Sequence, residues 1–75
     1  MPDTKPGPYF VSAIDGGKKY IVAGPYELHE KAIADVDRVR NIAETADARA
    51  IFMAWGTCRI QGANLIGSMN RLGLI

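Results

Sequence analysis

Tyr9-Phe-Val-Ser-Ala-Ile-Asp15-Gly16-Gly17-Lys18-Lys-Tyr-Ile-Val-Ala23 is the stretch that decides the fold. Tyr9–Ile14 is aromatic and β-branched, the composition of a strand, and Lys19–Ala23 repeats the pattern. Between them Asp15-Gly16-Gly17-Lys18 supplies residues that tolerate positive φ, which a tight two-residue turn demands. The stretch predicts an antiparallel hairpin. Gly24-Pro25 is expected to end the returning strand, since proline lacks the N–H that a ladder uses.

Upstream, residues 1–8 contain three prolines and a glycine, which predicts an extended arm outside a single domain of residues 9–75. Downstream the hydrophobic period changes. Leu28, Ala32, Val36, Val39, Ala43 and Ala46 recur at spacings of three and four, with Ile33 and Ile42 widening the stripe. This predicts an amphipathic helix over 27–46, with ion pairs Glu27–Lys31, Lys31–Asp35 and Arg40–Glu44 on its outer face.

Arg49–Ile60 reads as a third strand. Its alternation places Ala50, Phe52, Ala54 and Cys58 on one face and Ile51, Met53, Trp55 and Thr57 on the other. Both faces are apolar as far as Trp55, so this strand is expected to be central or covered twice, with a bulge at Gly56. Leu65, Met69 and Leu72 then suggest a short helix near Ser68–Leu72. The expected architecture is a small α+β domain of order ββαβ: an antiparallel hairpin and a third strand packed on one long helix, with a short C-terminal helix or tail.

Composition narrows the function classes. Of 75 residues, 48% are hydrophobic and 23% charged, too apolar for a disordered chain. A net charge of +1 gives no long-range pull toward nucleic acid or anionic lipid. The single cysteine, Cys58, fits a reducing compartment, and no apolar run reaches the roughly 18 residues of a membrane span.

No catalytic or metal site assembles from these residues. His29 and Cys58 could form a thiolate–imidazole pair, but no third group is marked out to orient the base. One histidine and one cysteine fall short of a zinc site, and Asp15, Asp35, Asp37 and Asp47 are scattered. Neither Gly16-Gly17-Lys18-Lys19 nor Gly62–Ser68 matches a phosphate-binding loop. No cofactor is expected. A nucleic-acid surface is the stronger alternative, with Lys18 and Lys19 at the hairpin tip, Arg59 and Arg71 at the far end, and Tyr9, Phe10, Tyr20 and Trp55 in the sheet.

The segments Asp15-Gly16-Gly17, Gly24-Pro25-Tyr26, His29-Glu30 with Ala32, Asp47-Ala48-Arg49-Ala50, Trp55-Gly56-Thr57-Cys58-Arg59 and Gly67–Leu74 resemble a small uncharacterised family of temperate phages and prophages of Gram-negative bacteria. The resemblance covers about residues 9–74. It implies a bacterial cytoplasmic setting and carries no established activity. The expectation is therefore a non-enzymatic accessory protein that binds a host or phage protein, with nucleic-acid binding as the alternative. If the helix covers one sheet face, Ile51, Met53 and Trp55 emerge on the other. They form the expected partner surface, or the interface of a homodimer.

Overall fold

The structure, a computed structural model, describes residues 7–60 and 65–75. Its elements run β1 (Tyr9–Asp15), β2 (Lys18–Tyr26), α1 (His29–Ala46), a 3₁₀ turn (Ala48–Phe52), β3 (Ala54–Arg59) and α2 (Ser68–Arg71). The three strands form one antiparallel sheet in the order β2-β1-β3. The fold is α+β, with one long and one short helix, as expected from the sequence.

The hairpin closes as predicted, with Asp15 opposite Lys18. Gly16 alone of the two turn residues has positive φ, at 60°. Among the hairpin turns that is the type II′ pattern, in which only the first central residue needs glycine. Gly24-Pro25 does not end β2, which continues to Tyr26. The register shifts between Tyr9 and Ser12 absorb the irregularity, and Gly24 takes φ 133° there. Proline is tolerated because β2 is an edge strand with an outward-facing position for it. The irregularity of the sheet thus lies here and not at Gly56, whose strand pairs with β1 in unbroken register.

The third strand differs most from expectation. Residues 48–52 turn as a 3₁₀ helix, and only Ala54–Arg59 is extended. Asp47 explains the turn: its side chain accepts from Arg49 N–H at 3.0 Å, and its carbonyl accepts from Ala50 N–H at 3.0 Å. Local side-chain bonding of this kind competes with a ladder. β3 is also an edge strand, and the doubly buried strand is β1. Tyr9, Val11 and Ala13 fill one of its faces, while Phe10 (0% exposed) and Ser12 (4%) fill the other.

The assignment of faces is corrected accordingly. Trp55 pairs with Ala13 and Thr57 with Val11, which puts both on the face that α1 covers. Trp55 and Met53 pack against the buried cluster that includes Val11, Ala13 and Val39. They do not emerge on the opposite face, and Ile51 lies in the 3₁₀ turn.

α1 begins at His29, with Leu28 as an extended N-cap residue that makes no side-chain bond. Ala32 and Val39 are buried, with Val36, Ile42 and Ala43 half-buried beside them, whereas Leu28, Ile33 and Ala46 at the margins of the stripe are exposed. The Arg40–Glu44 pair forms at 2.8 Å. Asp35 is taken by Arg38 at 2.6 Å, in place of the expected Lys31. Residues 7 and 8 are bonded into the fold: Gly7 N–H donates to Glu27 O, and Pro8 O accepts from Ile60 N–H. The rest of the expected arm, residues 1–6, lies outside the described residues.

The tail forms α2 where the sequence suggests it, ending in a Schellman motif. Gly73 (φ 73°) donates to Asn70 O, and Leu74 donates to Met69 O. α2 docks on β2. Met69 enters the core at 4% exposure, and Gly67 lies against the backbone of Ala23, where a Cβ would collide. Two hydrogen bonds hold the junction at Gly24, whose carbonyl accepts from Gly67 N–H at 3.1 Å while its own N–H donates to Asn70 Oδ1 at 2.9 Å.

Candidate functional site

His29 and Cys58 are placed apart. The His29 ring lies on the α1 side of the sheet, where Nε2 is 2.8 Å from Thr57 Oγ1 and the imidazole stacks on Tyr9 at 4.8 Å between ring centres. Cys58 pairs with Phe10 and so faces the other side. The imidazole serves to seat the start of α1 on β1 and β3. Among the described residues no group of three His, Cys, Asp or Glu gathers to hold a metal ion. Gly62–Asn64 of the second glycine segment lie outside the described residues.

A polar network ties β2 to α1. Tyr26 O–H donates to Asp35 Oδ2 at 2.6 Å, and Arg38 donates to both oxygens of Asp35 from the next turn. The Arg38 hydrogen bonds hold the Asp35 carboxyl below the usual carboxylate range. Burial, and then the Asp35 hydrogen bond, push the Tyr26 phenol well above its ordinary value. The network orients the helix and uses its charges internally.

The feature with the form of a binding site is a groove of about 250 Å³ between the C-terminal end of α1, the 3₁₀ turn, β2 and the tail. Val22, Met53, Trp55 and Met69 form its floor, and Tyr20, Leu72 and Leu74 its walls. Its construction follows from local chemistry. Trp55 Nε1–H donates to Ala50 O at 3.0 Å, fixing the indole against the 3₁₀ turn. The Schellman ending of α2 projects Leu72 and Leu74, which are 73% and 44% exposed. At one end Arg49 and Asp47 pair at 2.8 Å, so the groove offers no uncompensated charge there. On the outside of the 3₁₀ turn Phe52 stands 87% exposed. Two of the three residues expected to form a partner surface, Met53 and Trp55, therefore belong to a groove on the helix side.

The basic residues divide unequally. Lys19 and Arg71 line a second cleft, of about 450 Å³, together with Ile21, Leu65 and Ile66, and Lys18 precedes them at the start of β2. Arg59 stands opposite Tyr9, at the other end of β1 from the Asp15–Lys18 pair. Six residue steps of strand separate them, about 20 Å. The sequence could not foresee this grouping, because Arg71 reaches Lys19 only through the docking of α2 at Gly24.

No family model, curated protein or solved structure matches the chain. Among the described residues no helix is long and apolar enough to cross a membrane.

Proposed function

We propose that this domain is a non-enzymatic binding module of the phage or prophage type, working in the bacterial cytoplasm by engaging a host or phage protein. The observation that supports the reading is the apolar groove walled by Tyr20, Leu72 and Leu74. At about 250 Å³ it falls below the roughly 300–1,000 Å³ of pockets that enclose small molecules. It suits one or two bulky apolar side chains presented by a protein. Exposed leucine and tyrosine side chains, contiguous with half-buried methionine and tryptophan, are the anchoring chemistry of such contacts. The pairing of Arg49 with Asp47 removes the charge that would select a polar ligand.

Nucleic-acid binding is the second reading, favoured by the meeting of Lys19 and Arg71. It is the weaker one, since Arg59 lies elsewhere and Tyr9, Phe10 and Trp55, the aromatics expected to stack on bases, are turned inward.

The test is affinity capture from nuclease-treated Gram-negative lysate, with wild type and Leu72→Asp in parallel. A protein retained by the wild type and lost with the variant is the expected result. Equal retention by both, or material that is released by nuclease when the treatment is omitted beforehand, would count against a protein-binding groove.

A further inference from the structure

We propose that the open edge of β2 takes an extended segment of the partner as a fourth strand, and that this segment alternates acidic and apolar residues. The inference rests on the protein-binding reading of the groove and specifies the partner's chemistry. It begins with the hairpin register. Asp15–Lys18 closes the turn and Ala13–Tyr20 follows two residues on, so Ile14–Lys19 and Ser12–Ile21 are the intervening pairs. In an antiparallel ladder the residues of such pairs turn their N–H and C=O groups away from each other. On β1 those groups meet β3, at Ala54 and Gly56. On β2, Lys19 and Ile21 turn theirs outward, and among the described residues nothing pairs with them.

The free stretch has a defined end. At Gly24 the edge is already occupied by Gly67 N–H and Asn70 Oδ1. The open segment is therefore Lys18–Ile21, about 13 Å of strand. An added strand of that length gains up to four backbone hydrogen bonds, and in this mode of recognition the alternate side chains set specificity.

The two sides of the edge differ in chemistry. Tyr20 pairs with Ala13 and lies on the α1 side, where the apolar groove opens. Lys19 lies on the other side, in the cleft that it shares with Arg71. A strand laid along β2 thus directs every second side chain into the groove and the intervening ones toward Lys19 and Arg71. Arg38, Arg40 and Arg49 take Asp35, Glu44 and Asp47, while among the described residues no carboxylate pairs with Lys18, Lys19 or Arg71. A second copy of the chain would bring the same three cations against them. Lysine on an open edge repels such self-pairing, and the same charges favour an acidic strand.

Fluorescence anisotropy with labelled eight-residue peptides tests the proposal. The probe alternates glutamate and valine. Two further forms carry N-methyl groups on all the valines or on all the glutamates, since only one set of amides faces β2. The expected result is binding of the parent peptide, retained by one methylated form and lost by the other. The double variant Lys19→Glu/Arg71→Glu, both exposed positions, should weaken the parent peptide on the order of tenfold, with an affinity that no longer falls as salt rises. Equal affinity of the two methylated forms overturns strand addition. Equal binding of a lysine-for-glutamate peptide, or of an oligothymidylate of matched charge, overturns the acidic, strand-like character assigned to the segment. If the methylated forms are equal while Leu72→Asp still abolishes binding, strand addition falls and the groove reading stands. If Leu72→Asp binds as wild type does, the groove reading itself falls.

Discussion

Gly24 illustrates how much of this fold depends on single residues. Its φ of 133° is closed to L side chains, and a Cβ there would come 2.6 Å from Cδ1 of the Phe10 ring. Gly24→Ala should cost on the order of 1–3 kcal/mol from the backbone alone, with a further penalty as the ring moves. Chemical denaturation measures it directly. Trp55 is sensitive in a different way. Trp55→Phe keeps most of the groove floor but leaves the Ala50 carbonyl without its indole donor, at a cost of about 0.5–1.5 kcal/mol. Trp55→Glu should unfold the domain, because a carboxylate would face the Val11–Val39 cluster. A soluble, folded Trp55→Glu protein by circular dichroism would contradict the packing described.

The Tyr26–Asp35–Arg38 network gives the domain a pH dependence with two limbs. The folded-state pKa of Asp35 is depressed, so its stabilisation is present above the unfolded carboxylate value and is lost as pH falls through the depressed one. Stability should therefore decline below about pH 4, and Asp35→Asn should make that decline shallower. Tyr26 is shifted upward, so its contribution holds below the ordinary phenol value and is lost as pH rises beyond it. The alkaline limb should begin above about pH 10 and move in Tyr26→Phe. Urea midpoints across pH distinguish the two.

At the scale of elements, the hairpin was legible because a turn leaves a local chemical signature. Even there the sequence treated Gly16 and Gly17 alike, and only the backbone separates them. Gly16→Val should lower stability by about 1–2 kcal/mol, whereas Gly17→Ala should be nearly neutral. Gly17 has ordinary φ and open space where a Cβ would stand. The long helix was legible through its period, and α2 through the spacing of Leu65, Met69 and Leu72. The failure at residues 49–53 has a physical cause. Ala-Ile-Phe-Met is apolar at every position, and a short apolar run fits a helical turn as well as a strand. The deciding group was the Asp47 carboxylate, which bonds its own backbone two residues on. An Asp at a helix end followed by Ala-Arg was available as a signal for such a turn.

For the whole molecule, the class of fold was readable and the location of the site was not. Which face of β3 meets the helix depends on register with β1, and register is a long-range property. The alternation that groups Trp55 with Thr57 was legible, but nothing local says which of the two faces meets the helix, and Trp55 was assigned to the wrong side. The groove was equally invisible, since its walls come from Tyr20 and Leu72, which are remote in sequence. Met69 shows how far the tail belongs to the core. Met69→Ala should cost about 2–4 kcal/mol, as expected for a buried methionine, and should lower peptide binding by loosening the groove floor. The urea midpoint checks the first effect and anisotropy the second.

The junction at Gly24 has one further consequence, for exchange with solvent deuterium. Its amide proton is held by a side chain of the tail, Asn70, whereas the amides of Val11 and Ala13 are held in the central strand. Release of the tail exposes the first without exposing the others. Gly24 should therefore exchange through a small opening of α2, and the central amides only through unfolding of the whole domain. The protection of Gly24 itself measures the free energy that keeps the wall carrying Leu72 and Leu74 in place. A ligand that uses that wall should slow exchange at Gly24 first.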